Sequence, residues 1–462
     1  MTEEPAGTGR RFWLWLAVWT LVGLGIRLGT VYGRPNRTPG GDPGYAHGVA
    51  NLIVAGKGFI NPLAYYFHNQ HHVLQTAGWP PLWTMLLTVP IFFGFHSFWA
   101  ARIWSCIIGA AAVTVCGLAG REVAGRRVGL IAALIIAIYP NIWMNVELAS
   151  SETLSPLLVG LILWTAYRFW HRSSWGNMVA LGVSIGLGAL GRDELSLLWL
   201  FILVPLVLSL RSSTWRRRFG LLLAGAAASA LIVMPWVGYN LSRFDQVVTI
   251  SDGLGPTLLS ANCGVTYSGT FEGYWSWQCV EHVKDNPKVD ESVNFAHDQK
   301  LGEDYIKAHE SELPRVTLAR IGRGFGFFHP LQQVQFDSVV ETRPYHWGLV
   351  GLGMYYALLA LSIGGTVILK RRKILVYPLL AVGADVLFVF ILSFGQTRYR
   401  VTFEVSLAIL ASVQLEWLWT TLTRTPGHRM GKTTPVDNPD GESPTPESEP
   451  AELIGGGIGT RS

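Results

Sequence analysis

Shortly after its first apolar run the chain reads Gly40-Gly41-Asp42-Pro43-Gly44-Tyr45. A carboxylate on a glycine-flanked turn can come close to a ligand and act as a general base. Asp42 also precedes Pro43, so a helix N-cap is an equal reading. A second acidic stretch, Asn145-Val146-Glu147-Leu148-Ala149-Ser150-Ser151-Glu152-Thr153-Leu154, lies between two apolar runs. Carboxylates so close to hydrocarbon are costly unless they line a polar cavity or meet a cation. Glu147 and Glu152 are five residues apart, which on one helix turns them about 140° from each other, so at most one faces a given pocket. Glu152 also fits a capping pattern with Ser150 and Ser151.

Cations flank these carboxylates in Arg192-Asp193-Glu194 and in Gln396-Thr397-Arg398-Tyr399-Arg400. The planar guanidinium fork suits phosphate, though internal salt bridges or headgroup anchoring would use the same residues. His68, His71 and His72 have no Cys or acidic neighbour in sequence, so they read as a polar turn, and no metal site is expected there. No Walker, Rossmann or nucleophile-elbow pattern falls on a credible strand-to-helix unit.

The elements that must position these residues are membrane helices. Of 462 residues, 50% are hydrophobic and 15% charged, with mean hydropathy +0.31; a soluble chain carries about 25% charged residues. Ten apolar runs are long enough to propose as spans: 12–32, 98–119, 128–146, 153–170, 175–191, 195–210, 219–238, 347–369, 374–394 and 401–421. Ten spans put every basic cluster on one side: Arg10 and Arg11; Arg121, Arg126 and Arg127; Arg168 and Arg172; Arg211 and Arg216 to Arg218; Lys370 to Lys373; Arg424 and Arg429. The positive-inside rule then predicts a multi-pass protein of the cell membrane with both termini cytoplasmic. This requires that 81–95, opened by Pro80-Pro81, lie re-entrant or along the outer interface. The first run follows Arg10-Arg11 but lacks a small-residue cleavage site, so it reads as a retained helix, with Arg27 snorkelling to the headgroups.

The expected fold is therefore all-α and polytopic: an N-terminal module over 1–238 containing an external loop at 33–97, an external α-rich cap at 239–346, further spans over 347–421, and a disordered cytoplasmic tail from 422 to 462. The cap shows helical patterns near 293–310 and 314–327, the second opened by Pro314. Its 14 acidic residues exceed its 9 basic ones, which speaks against nucleic acid as a partner. Cys263 and Cys279 both fall in the cap, where oxidation is permitted, and are predicted to form a disulfide. Cys106 and Cys116 read as small apolar residues within a span.

In order and topology, five stretches make the chain resemble the membrane-embedded GT-C glycosyltransferases, specifically bacterial relatives of the dolichyl-phosphate-mannose protein mannosyltransferases. They are Gly41-Asp42-Pro43-Gly44-Tyr45; Trp79-Pro80-Pro81-Leu82; Ala101-Arg102-Ile103-Trp104-Ser105 through Gly120-Arg121-Glu122-Val123-Ala124-Gly125-Arg126-Arg127-Val128; Ser151-Glu152-Thr153-Leu154; and Arg398-Tyr399-Arg400. The resemblance implies inverting transfer of a sugar, a hexose such as mannose, from a polyprenyl-phosphate donor to a protein, glycan or lipid acceptor at the outer face. It implies Asp42 as the base, with Arg192, Arg398, Arg400 and Tyr45 as substrate-binding candidates. The family often has a second acidic residue where Pro43 stands, which leaves the partner carboxylate open, with Glu152 preferred to Glu147. Many relatives also have Pro before the acidic residue in the turn that here reads Arg192-Asp193-Glu194. A departing phosphate needs no strong acid, so one base and a few cations would suffice, and a divalent cation stays open. The helix at 81–95 and nearby Trp residues would border a groove for the isoprenoid chain, or simply anchor in lipid. The competing reading is a transporter or flippase of a polyprenyl-linked sugar. It would favour paired broken helices in two halves and charges at the midplane. Here the acidic residues sit at helix ends and no repeat is visible.

Overall fold

A computed structural model describes residues 6–38, 40–67, 73–210 and 213–423. His68, His71, His72 and the expected tail from 424 onward lie outside the described residues. The described residues up to Trp419 form one compact unit.

Helices are the regular elements of the described residues, where pairing between extended segments is limited to one bridge between Ile60 and Gln75. In chain order the first helices are α1 (Ala6–Gly33), α2 (Gly41–Val54), α3 (Pro62–Phe67), α4 (Pro81–Phe92), α5 (Phe98–Ala124), α6 (Arg126–Ile138) and α7 (Pro140–Trp143). Then come α8 (Ser155–His171), α9 (Trp175–Gly191), α10 (Val204–Leu208) and α11 (Trp215–Leu241). The cap holds α12 (Leu254–Ala261), α13 (Gly264–Tyr267), α14 (Glu291–Ala308), α15 (Leu313–Gly324) and α16 (Pro330–Val339), and the chain returns to α17 (Tyr345–Arg371), α18 (Tyr377–Leu392) and α19 (Thr397–Thr423).

Side-chain caps start several of these helices: Ser97 accepts from Ala100 N before α5, Ser174 from Asn177 N before α9, and Asp290 from Val293 N before α14. Gly125, at φ +98°, makes the turn between α5 and α6. Those two helices pack closely because Gly117 faces Gly129; a Cβ on Gly129 would stand 2.5 Å from the Gly117 carbonyl. The same device joins α9 to α11, where a Cβ on Gly182 would stand 2.3 Å from the Gly225 carbonyl. Small residues at such crossings replace the hydrophobic drive that lipid does not supply.

Among the described residues five helices are long and apolar enough to cross a membrane, within α1, α5, α11, α17 and α19. A sixth would be α6 with Pro140–Leu148, bent by 62°. This is fewer than the ten unbroken spans expected. α8 and α9 have 17 residues each and α18 has 16, a rise of about 25 Å against a hydrocarbon core of about 30 Å. The run at 195–210 is broken into a 3₁₀ turn (Asp193–Leu197), a π turn (Trp199–Leu203) and α10. The physical reason is shared: near Asn145, Glu152 and Asp193 the backbone leaves the helix to present polar side chains, which is tolerable where protein rather than lipid surrounds it. The multi-pass character remains. α4, with 12 residues, rises only about 18 Å and is too short to span.

Arg27 does not snorkel. It is fully buried and donates to the Gly23, Ile136 and Ala137 carbonyls, filling the space that Gly23 and Gly109 leave between α1, α5 and α6. In the cap, α14 and α15 match the two expected helices, with Pro314 in the first turn of α15. Cys263 and Cys279 are joined by a disulfide, while Cys106 and Cys116 are buried thiols. A small core of Ala77, Leu190, Trp236, Phe244 and Val248 seats the beginning of the 239–346 segment against the 33–97 segment and α9.

Candidate active site

Gly40 rather than Asp42 occupies the N-cap of α2, and Gly41 takes φ +56°, a left-handed turn that suits glycine. Asp42 thus stands in the first helical turn, where the helix dipole favours a negative charge. Its carboxylate is free of capping duty and reaches the start of α19: Asp42 Oδ2 accepts from Arg398 Nη1 at 2.9 Å. The Asp42 side chain is 43% exposed, so it faces an open mouth.

Arg398 gathers two further carboxylates. Glu341 Oε1 lies 3.4 Å from its Nη1, and Glu152 Oε1 lies 3.7 Å from its Nε. Glu152 also accepts from Arg192 Nη1 at 3.2 Å, and Arg192 in turn pairs with Glu194. Both guanidiniums lean over the Tyr399 ring, at 5.1 Å for Arg192 and 5.4 Å for Arg398. Gln396 bridges Glu341 and the Tyr274 hydroxyl. Arg343 bonds to Asn145 and adds a third positive charge near Glu152 and Glu341. Burial alone would raise the Glu152 carboxyl, but Arg398, Arg192 and Arg343 outweigh it and hold it down at about 2. For Glu341 burial wins and its carboxyl moves up despite Arg398 and Arg343.

The structure therefore brings Asp42, Glu152, Arg192 and Arg398 into one network. It leaves out three other candidates. Glu147 pairs instead with Arg34 and Arg37; it and Glu152 are not on one helix, because Ala149, at φ +50°, separates two short 3₁₀ turns. Arg400 is turned away and 1% exposed, bonded to Glu404 at 2.8 Å and to the Gly324 carbonyl, 3.6 Å above the Tyr355 ring. It directly follows the last network member, Tyr399, but on a helix one step is a 100° turn. Tyr45 donates to Thr76 and packs on Trp79 in a separate cavity. The capping pattern around Glu152 does not form, since Ser150 Oγ donates to the Asn145 carbonyl.

Glu341, Arg343, Gln396 and Tyr399 escaped sequence reasoning. The charged pair Glu341 and Arg343 directly before an apolar run was the available signal. Among the described residues no group of three or more His, Cys, Asp or Glu is arranged to hold a metal, and Asp42, Glu152 and Glu341 are each turned onto guanidinium. The donor set does not fit a divalent cation.

Residues 80–239 match the family model described as dolichyl-phosphate-mannose-protein mannosyltransferase. The archaeal oligosaccharyltransferase AglB from Archaeoglobus fulgidus, in complex with an inhibitory peptide and a dolichol-phosphate, superposes with TM-score 0.55 at 17% identity, covering 92% of this chain and 53% of that one. The chain has the GT-C fold. A second structure of the Archaeoglobus fulgidus oligosaccharyltransferase, with Zn and sulfate, matches the GT-C chain at TM-score 0.54 and 18% identity, covering 88% and 49%. ArnT from Cupriavidus metallidurans bound to undecaprenyl phosphate matches at TM-score 0.42 and 14% identity, covering 89% and 78%. The chain spans about half the length of the oligosaccharyltransferases it matches. No curated protein matches it.

Proposed function

We propose that this GT-C protein is an integral-membrane glycosyltransferase that moves a sugar from a polyprenyl-phosphate donor to an acceptor hydroxyl at the outer face, with inversion. The observation that carries the reading is Asp42, held by Arg398 through Oδ2 at an open helix mouth. Among the described residues its Oδ1 takes no hydrogen bond, which suits it to accept the acceptor's proton. The acceptor oxygen forms a bond to the anomeric carbon as the carbon–oxygen bond to phosphate breaks on the opposite side. The proton passes to Asp42, and the electron pair leaves with the lipid phosphate. Arg398 is a positioning residue for Asp42, and Glu152, ionised and flanked by Arg192, fixes Arg398 in turn. The family model favours a hexose such as mannose; a protein, glycan or lipid acceptor fits the same chemistry. The basic clusters support a cell-membrane location with both termini cytoplasmic.

Transfer from a radiolabelled prenyl-phosphate sugar in membranes tests this. Asp42→Asn is expected to reduce transfer by about 10²-fold or more with the protein level unchanged. Unchanged transfer would remove Asp42 as base; movement of the lipid-linked sugar across the membrane without transfer would favour a flippase.

A further inference from the structure

The candidate site is saturated with its own carboxylates. Arg192, Arg343 and Arg398 stand among Asp42, Glu152, Glu194 and Glu341, leaving no surplus positive charge for a phosphate. The surplus lies next door. At the C-terminal end of α1 and the N-terminal end of α5, Arg34, Arg37 and Arg102 surround one carboxylate, Glu147. Arg34 Nη1 is 3.2 Å and Arg37 Nε 3.7 Å from Glu147 Oε1. Glu147 is 1% exposed, whereas the Arg34 side chain is 45% exposed and that of Arg37 21%. Arg102 is fully buried behind them; its Nη atoms make only long contacts to the Val31 and Pro35 carbonyls, and its Nε has no partner among the described residues.

Two features say what such a site would take. First, guanidiniums crowded about one carboxylate keep a net positive charge at the mouth, and their forks match phosphate oxygens. Second, the adjoining surface is aromatic: Tyr32, 63% exposed, meets Trp99 edge-on at 5.1 Å, and Arg102 lies 5.5 Å from the same Trp99 ring. An aromatic wall next to a cationic cluster at a helix end suits a headgroup joined to an apolar chain.

We infer that Arg34 and Arg37, backed by Arg102, bind the phosphate of a lipid, with its chain running along Tyr32 and Trp99. The segment Glu341-Thr342-Arg343 touches both places, since Glu341 faces Arg398 while Thr342 accepts from Arg37. Through that segment a phosphate held there is linked to the Arg398–Asp42 pair, to which it would present the sugar. That last step rests on the transferase reading; lipid-phosphate binding itself does not.

The test is retention of a radiolabelled long-chain prenyl phosphate by the purified full-length protein, with prenyl alcohol and phosphatidylglycerol as competitors. The Arg34→Gln/Arg37→Gln variant is expected to bind at least about tenfold more weakly, and Arg34→Lys/Arg37→Lys, which keeps the charge, to fall between it and the unmodified protein. Prenyl alcohol should compete poorly. Equal competition by phosphatidylglycerol would identify a general acidic-lipid site; selective binding of the prenyl phosphate would identify a carrier site. Retention unchanged in both double variants, or competition by the alcohol as strong as by the phosphate, would overturn the assignment. Asp42→Asn should bind normally, so loss of transfer in that variant and loss of binding in the arginine variants report separately.

Discussion

Two arginines two positions apart, Arg398 and Arg400, have opposite fates, and the difference is which carboxylates each meets. Arg398 is shared by Asp42, Glu152 and Glu341 near an open mouth. Arg400 is sealed against Glu404, whose side chain is 0% exposed. A buried pair is not itself strong evidence of stability, but removing one partner strands a charge, typically at about 3–5 kcal/mol. Glu404→Gln is therefore expected to lower the thermal midpoint of the detergent-solubilised protein markedly, with Arg400→Met/Glu404→Leu recovering much of the loss. A midpoint unchanged in the single variant would contradict this assignment. Both arginines were legible as candidates in Gln396-Thr397-Arg398-Tyr399-Arg400. Which of them faced the mouth was not, because it depends on the rotation of α19 against Asn141, Tyr355 and Gly324.

At the level of elements, the segment 249–253 locks the cap to the bundle. The Thr249 and Ile250 carbonyls accept from Asn240 and Trp236, Ser251 bonds to Asp193, and Asp252 N donates to the Ala77 carbonyl. Glu291, at the start of α14, accepts from Thr76 at 2.6 Å, from Ala77 N at 3.0 Å and from Asn61 at 3.4 Å. Burial pushes the Asp252 carboxyl up to about 8, with Glu291 adding to the rise and Arg243 opposing it; Asp290 adds a smaller push. Burial likewise lifts Glu291 to about 6 against its hydrogen bonds and Arg243. Tyr45, on α2, also faces this pair. Carboxyls raised on folding hold more protons in the folded state than in the unfolded one. Their stabilising contribution is present at low pH and is lost as pH rises toward these values. Resistance of the cap to proteolysis should fall between about pH 4 and about pH 8, and Asp252→Asn should flatten the profile. A flat profile in the unmodified protein would refute the coupling. None of this was visible beforehand: Asp252 and Glu291 are 39 positions apart and meet only because α14 docks on the 75–79 segment.

For the whole molecule, interrupted backbone lies where the candidate site does: 3₁₀ turns at Met144–Leu148, Ser151–Thr153 and Asp193–Leu197 carry Glu152 and follow Arg192. The orientation proposed from the basic clusters has a direct check. In intact cells a membrane-impermeant thiol reagent should label Val247→Cys, at an 81% exposed position in the cap, and should leave Arg216→Cys unlabelled until the membrane is opened. The reverse pattern would invert the topology and place Asp42 at the cytoplasmic face.

Composition and apolar periodicity by themselves determined that the chain is an all-helical, multi-pass protein, because burial in lipid demands long apolar runs and leaves charge only at their ends. The same logic pointed to Asp42, Glu152, Arg192 and Arg398, charged residues beside hydrocarbon that must find partners. Tertiary structure alone decided which partners those were. Helix rotation sent Arg400 inward, a left-handed residue at Ala149 separated Glu147 from Glu152, and a cap segment carried Glu341 to Arg398. Charge pairing acts over a few ångströms in space with no regard for distance along the chain, so a single sequence names the candidates but not the pairs.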